Sequence, residues 1–326
     1  MKFEEKNKVW LSWHSIPRSQ NIAKYLDIPL FEYFINDNII KRHLYSSIWT
    51  IKFLIKNKPD IVFLHYSYLL LLFIVLYKKL SNRNLIIVAD CHNKALRRKL
   101  SGIGSSLYEM IKMFSFRNTD ITIITNDGLV NEILNYHTKY FILPDKIPDF
   151  QVKIDSMKNE KYSVYISSFS VDEPITEIIE VAKIIGKDVK IYWTGKNSSK
   201  NMSGTEFPDN IIFTGYLDYK DYYKLISNAD SLLILTTEDD CLQCGAYEGL
   251  NAGVPMVISD NKASREYFQN SAIYTKIEPK SIVASLTEAF ENSDLIKANS
   301  AKVKKERNKD YKSITDKLMD RIESLL

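Results

Sequence analysis

Short apolar runs rich in β-branched residues recur along the chain, separated by stretches with helical period. In the first half, KVWLSW (8–13), IPLFEY (28–33), DIVFLHY (60–66), LIIVAD (85–90), ITIIT (121–125) and YFILPD (140–145) read as strands. In the second half the same reading applies to 162–168, 189–195, 211–217, 231–237, 254–259 and 272–276. Between two of the early strands, residues 41–58 place Leu44, Ile48, Ile51 and Ile55 on one helical face. The tail from residue 304 onward reads as one amphipathic helix, with Ile314, Leu318, Ile322 and Leu325 on its apolar side. Tyr68 to Tyr77, YLLLLFIVLY, is too short for a bilayer span of about 20 residues and reads as a buried helix. A membrane-touching face is the alternative.

Strands that alternate with helices and lack a clean in–out alternation imply parallel sheets covered on both faces. Two successive sets predict an α/β protein of two Rossmann-like, doubly wound domains facing a central cleft. The expected divisions are 1–155, 156–305 and a C-terminal helix at 306–326 packing back towards the first domain, with the polar stretch 144–161 as linker. Ligands of such sheets sit outside the carboxyl ends of the strands. Ser12, Trp13 and His14 occupy that position after the first strand, as do Asp90, Cys91, His92 and Asn93 after the fourth. Ser167 and Ser168, Gly195 and Lys196, and Asp239 and Asp240 follow later strands.

A length of 326 residues accommodates two domains of roughly 150. Residues 1–150 hold 21 Lys+Arg against 13 Asp+Glu, a net of +8, whereas residues 151–326 hold 23 against 27, a net of −4. The basic half suits an anionic partner such as phosphate or a membrane surface, or is a solvated lysine-rich face. No aromatic-basic motif accompanies it, so nucleic-acid binding is not expected. Three cysteines and no evident signal peptide at the N-terminus point to a reducing cytoplasm, with peripheral contact at the inner membrane face as an extension.

The stretch DDCLQCGAYEGLNAGVPMVISD (239–260) concentrates the candidate chemistry. Cys241 and Cys244 have CxxC spacing, but no second pair or nearby His completes a zinc site, and two aspartates crowd them. They are expected to be small apolar fillers in a turn. The residues from Gly245 should open a helix, and the amides at its start, around Cys244 and Gly245, make an anion site. Asp240 lies in the loop above and Glu248 in the first turns. Carboxylates beside an amide cradle suit a nucleotide diphosphate sugar; a loop acid and a helix-dipole acid are the structural alternative.

Thr236 to Asp260 resembles the donor-binding signature of the glycosyl transferases group 1, enzymes of GT-B fold: an acid, seven residues, Glu, a small-residue helix, then Gly-x-Pro and an apolar run. Here these are Asp240, Glu248, Gly253, Pro255 and MVIS, with Asp in place of the commoner first Glu. SSFSVDEPITEIIEVA (167–182) and ADCHNKA (89–95) are similar to motifs of chitobiosyldiphosphodolichol β-mannosyltransferase-like enzymes. The usual Gly-rich loop after the first strand is replaced by WHSIPRS.

The resemblance implies a metal-independent hexosyltransferase with no cofactor, using a UDP- or GDP-sugar and a glycan or lipid-linked acceptor. It implies that Glu248 holds the ribose and Asp240 the donor sugar, with Lys196 near the diphosphate and Ser168 on phosphate or capping a helix. Gly195 makes the turn before Lys196, and Tyr216 and Leu217 border the base. His92 would serve as base toward an acceptor hydroxyl or bind sugar or phosphate; Asp90 would orient it or act itself. His14, Arg18, Asn93 and Arg97 are the expected acceptor contacts, with Arg98 and Lys99 following. A sugar-nucleotide epimerase of the same shape and a non-catalytic binding protein are the rival readings.

Overall fold

The computed structural model describes residues 5–98, 102, 104–152, 160–196 and 206–326. The chain divides into two compact units, Met1–Lys146 with Asp310–Leu326, and Ile147–Lys309. All twelve predicted strands are present, and every pairing between them is parallel.

The first unit runs β1 (Lys8–Ser12), α1 (Pro17–Tyr25), β2 (Leu30–Glu32), α2 (Ile39–Asn57), β3 (Ile61–His65), α3 (Tyr68–Leu80), β4 (Ile86–Asp90), α4 (Asn93–Arg97), α5 (Ser105–Arg117), β5 (Ile121–Ile124), α6 (Val130–Leu134) and β6 (Tyr140–Ile142). Its strand order is β2-β1-β3-β4-β5-β6. Alternate residues of each strand feed two cores. Leu11, Leu64 and Ile87 pack with Leu54 of α2, Leu71 of α3 and Phe116 of α5. Trp10, Phe63 and Val88 face α1 and, from the far end of the chain, Tyr311, Leu318 and Ile322.

α2 forms where its period predicts, and Asn38 caps it by accepting from the Lys41 amide at 2.9 Å. What it buries is Ser46, Ser47, Thr50 and Leu54, with the indole of Trp13 donating to Thr50 Oγ1 at 3.0 Å. Leu44, Ile48, Ile51 and Ile55 are 54, 41, 39 and 56% exposed, so the apolar stripe points outward. α3, by contrast, buries Leu70, Leu71, Ile74 and Val75 in the core, as the buried-helix reading expects. No helix among the described residues is long and apolar enough to cross a membrane.

The second unit runs β7 (Lys161–Tyr165), α7 (Ile175–Ile185), β8 (Val189–Thr194), β9 (Ile211–Gly215), α8 (Tyr219–Ser227), β10 (Ser231–Ile234), α9 (Cys244–Ala252), β11 (Met256–Ser259), α10 (Lys262–Phe268), β12 (Ala272–Thr275), α11 (Pro279–Glu291) and the first part of α12 (Ser293–Glu323), which from Asp310 onward belongs to the first unit. The order β12-β11-β10-β7-β8-β9 is the Rossmann arrangement, with its switch point between β7 and β10. α7 and α11 cover one face, while α8, α9 and α10 cover the other. α9 crosses very close to the sheet: a Cβ on Gly249 would lie 2.6 Å from Met256 Sδ and 2.8 Å from Leu232 Cδ1. The predicted tail helix is the end of α12, where Leu318 and Ile322 are buried, Ile314 is partly buried, and Leu325, past the helix end, is 36% exposed.

Candidate functional site

In the second unit the donor-site candidates collect at the carboxyl ends of β7, β8, β9 and β10. β7 runs out into Ser167, Ser168 and Phe169, and β8 into Gly195. A Cβ on Gly195 would lie 2.3 Å from the Ser167 carbonyl oxygen, and its φ is +99°, so only glycine fits this turn. Its amide donates to the Gly215 carbonyl at 3.2 Å, which ties the β8 turn to the β9 turn carrying Tyr216 and Leu217. Tyr216 is 80% exposed, and Lys196 is exposed as well. Phe169 stacks on the buried Trp193 with centroids 5.4 Å apart and closes the turn from below.

The loops after β7 and β10 are laced together by a residue to which the sequence reading gave no role. Asp172 accepts from Thr236 Oγ1 at 2.9 Å through its carboxylate, and its carbonyl accepts from the Thr237 amide at 2.7 Å. Glu173 accepts from Ser167 Oγ (2.5 Å), from the Ser168 amide and hydroxyl (both 2.9 Å) and from the Ser170 amide (3.2 Å). The donors of Ser168 are therefore turned inward on Glu173.

α9 begins at Cys244, with Gln243 as N-cap, and Gly245 packs on Ile166: a Cβ there would meet Ile166 Cγ2 at 3.0 Å. The helix start thus lies directly beside the end of β7, at the switch point. Asp240 sits in the preceding loop at φ +52°. Glu248, one turn into α9 and half-buried, accepts a 2.5 Å hydrogen bond from the Tyr222 hydroxyl of α8. Burial first, then the Glu248 carboxylate, pushes the Tyr222 phenol well above its ordinary range, so it stays a donor at any working pH. Cys241 and Cys244 carry thiols and share no disulfide. Cys241 is half-buried and Cys244 exposed, so the turn-filler expectation fits the first and fails for the second.

In the first unit, His65 is the last residue of β3, and His14 and His92 follow the ends of β1 and β4. Asp90 is buried and clamped by Arg18, whose Nε lies 3.0 Å from both carboxylate oxygens and whose Nη2 lies 2.8 Å from one. Arg18 also donates to Leu143 O at 2.8 Å and pairs with Asp145. Burial would raise the Asp90 carboxyl, but Arg18 overrides it and holds the group below the usual carboxylate range. A carboxylate so held is a poor base, and Arg18, itself 3% exposed, is a buried counter-ion with no surface to offer an acceptor. Both expected roles are corrected by this clamp.

His92 Nε2 lies 3.9 Å from Asp90 Oδ2, too far for a hydrogen bond. Its ring centroid is 5.1 Å from that of His65. His92 Nε2 and His65 Nδ1 are buried without a hydrogen-bond partner among the described residues. Burial, then the neighbouring His92, lowers His65 to about 4, and burial lowers His92 and His14, so these imidazoles are neutral at pH 7 and able to accept a proton. His65 was missed, although it ends a strand as His92's segment does. Ligand atoms of His65, Asp90 and His92 lie within 4.8 Å of one another, but the Arg18 charge on Asp90 opposes a cation there. Asn93 is buried at the start of α4, and Arg97 pairs with Glu132 at 2.8 Å. Arg98 is exposed; Lys99 lies outside the described residues.

Against known proteins, a search of curated sequences finds no match. Among solved structures, Anabaena Alr3699/HepE in complex with UDP is similar with TM-score 0.70 and 11% identity over 98% of this chain and 100% of that one. An E. coli trehalose-6-phosphate structure bound with UDP-2-fluoro glucose gives 0.71 and 10% over 96% and 99%. A Listeria monocytogenes UDP-N-acetylglucosamine 2-epimerase structure gives 0.59 and 11% over 90% and 91%. At such identities the likeness shows the fold, the GT-B pairing of two Rossmann-like domains. The model of the glycosyl transferases group 1 matches residues 146–309, half of the chain and all of the second unit. Strand order, switch-point loops and sequence pattern agree: the chain belongs to the glycosyl transferases group 1 family.

Proposed function

We propose that this protein transfers a hexose from a UDP- or GDP-linked sugar to a glycan or lipid-linked acceptor in cell-surface polysaccharide or glycoconjugate synthesis. The observation that carries the reading is Glu248, fixed by Tyr222 within a turn of the amide-rich start of α9, with Asp240 in the loop before it. A carboxylate set beside an anion cradle matches ribose hydroxyls next to a diphosphate. Asp240 takes hydroxyls of the donor sugar, Tyr216 and Leu217 border the base, and the amides of Cys244 and Gly245 face phosphate. Lys196 and these amides neutralise the leaving diphosphate, so no divalent metal is required. His92, neutral and short of a hydrogen-bond partner, accepts the proton of the acceptor hydroxyl or binds the sugar. Asp90 acts through charge alone, favouring protonation of His92, while His14, Asn93 and Arg97 border the acceptor.

Calorimetric titration with UDP, GDP and their glucose conjugates tests this reading, since a ligand bound only by the folded state both titrates and stabilises. Asp240→Asn is expected to spare bare nucleotide and weaken the sugar conjugate. Absence of binding to any of the four, or turnover lost in EDTA and restored by magnesium, defeats the reading as stated. The similarity to the Listeria structure supports a second reading, sugar-nucleotide epimerisation. Conversion of a UDP-sugar to its epimer without any acceptor would select it.

A further inference from the structure

α2, α3 and α5 form one layer on the first sheet, and their outward side is apolar. On α2, Ile40 joins Leu44, Ile48, Ile51 and Ile55 in a stripe running the length of the helix. On α3, Leu72 and Leu76 are only half-buried and Leu80 is 82% exposed, while Leu69 and Phe73 pack against the core. On α5, Leu107, Met110 and Phe114 repeat at helical spacing and are all exposed. Three adjacent helices showing apolar stripes outward exceed the scattered exposed hydrophobics of an ordinary surface.

The charges around this face are mostly positive, with Glu109 on α5 and Asp37 beside Lys41 as the acids of the helices and their caps. α2 carries Lys41, Arg42, Lys52 and Lys56 and no acid, and α3 ends in Lys78 and Lys79, also without an acid. Where α3 and α5 end, a cavity of about 580 Å³ is lined by Lys78, Lys79, Arg83 and Arg117 against the single acid Asp120, a net of +3. Lys78 answers Asp120 at 2.6 Å, which leaves the excess on the other three. Lys79 Nζ lies 5.6 Å from the centre of the Phe114 ring, so the basic cavity adjoins the apolar stripe of α5. An apolar face edged with cations and holding a cationic hollow is complementary to lipid chains under anionic headgroups.

We propose that the outer face of α2, α3 and α5 lies on an anionic lipid surface, with a phosphate headgroup held by Lys79, Arg83 and Arg117. The stripes enter the boundary between headgroups and chains, and the lysines and arginines at the helix ends contact headgroup phosphates. This binding is separate from the donor-site residues and does not depend on them.

The test is flotation of the full chain with vesicles of phosphatidylcholine, alone or mixed with phosphatidylglycerol. Binding to the mixed vesicles that weakens with salt is expected. Lys79→Ala/Arg83→Ala/Arg117→Ala should weaken it by roughly fivefold per cation, about a hundredfold in all. Ile40→Glu/Leu44→Glu/Ile55→Glu should abolish it. Each variant should melt as wild type does and bind nucleotide as wild type does, whatever that binding is, so failure here is distinct from failure of the transferase reading. Equal binding to both vesicles, or vesicle binding unchanged in either triple variant, overturns the proposal. So does a stable dimer that loses association in the glutamate variant while no vesicle is bound, or retention of free inorganic phosphate by the cavity without vesicle binding.

Discussion

Replacing Arg18 with methionine removes the only positive charge described against a buried carboxylate while keeping most of the volume. Both side chains of the Arg18–Asp90 pair are 1% exposed, so water cannot take over the hydrogen bonds of Asp90. Breaking such a pair costs about 3–5 kcal/mol, and the donor lost from Leu143 O adds about 1 kcal/mol. Asp145, with a side chain 11% exposed, also loses its pairing with Arg18. A loss of about 5 kcal/mol is a large share of the roughly 5–15 kcal/mol that holds a domain folded.

The sign of the pH dependence identifies the cause. In the wild type the Asp90 carboxyl is depressed, so its contribution is present above its unfolded value and is lost as pH falls through its folded value. In Arg18→Met burial, the largest effect, is opposed only by His92 and His65, so the carboxyl rises and a falling pH relieves the variant. The gap between the two proteins should therefore be narrower near about pH 5 than near about pH 8. Urea unfolding followed by tryptophan fluorescence suits the measurement, because Trp10, Trp13 and Trp49 lie in the first unit and only Trp193 in the second. Adding Asp90→Asn should recover most of the loss. A deficit below about 1 kcal/mol, or one that widens as pH falls, refutes the reasoning.

Glu248→Ala should weaken nucleotide binding by about tenfold to a hundredfold, the worth of a charge-assisted hydrogen bond, and Tyr222→Phe by a lesser factor through loss of positioning, both read by calorimetry. Cys241→Ser/Cys244→Ser should keep nucleotide binding with or without reductant; complete loss would return the function to the thiols. His65, lowered by burial to about 4, opposes folding once protonated, so stability should be full above about pH 6.5 and fall by up to about 3 kcal/mol as pH drops to 4. His65→Leu should flatten that part of a thermal-melt profile against pH.

The central strands were legible because they are buried on both faces and therefore read as unbroken apolar runs, as in IIVAD and SLLI. Glu248 and Gly245 were legible because helix starts and their spacing are local matters. The direction of α2 was not: periodicity shows that a stripe exists, whereas burial of Ser46, Ser47 and Thr50 depends on what the sheet presents to them. Arg18 was misread for the same reason, since its partners Asp90 and Asp145 lie 72 and 127 residues away. The contacts of Tyr222 and Asp172 were not legible, although the stretch holding Asp172 was singled out, because their partners Glu248 and Thr236 lie 26 and 64 residues away.

Gly249 has a bearing on which sequences can drift into this fold's neighbourhood. It follows Glu248 directly, and a methyl group there would strike Met256 and Leu232. A larger residue must displace the ends of Met256 and Leu232 or lift α9 off the sheet, and the second course carries the Glu248 carboxylate with it. Positions 249, 256 and 232 can vary only by exchanging volume among themselves: Gly249→Ala becomes tolerable with a smaller residue at 256 or 232. A combinatorial library over these three positions, selected for nucleotide retention, should return anticorrelated side-chain sizes and no independent substitutions at position 249.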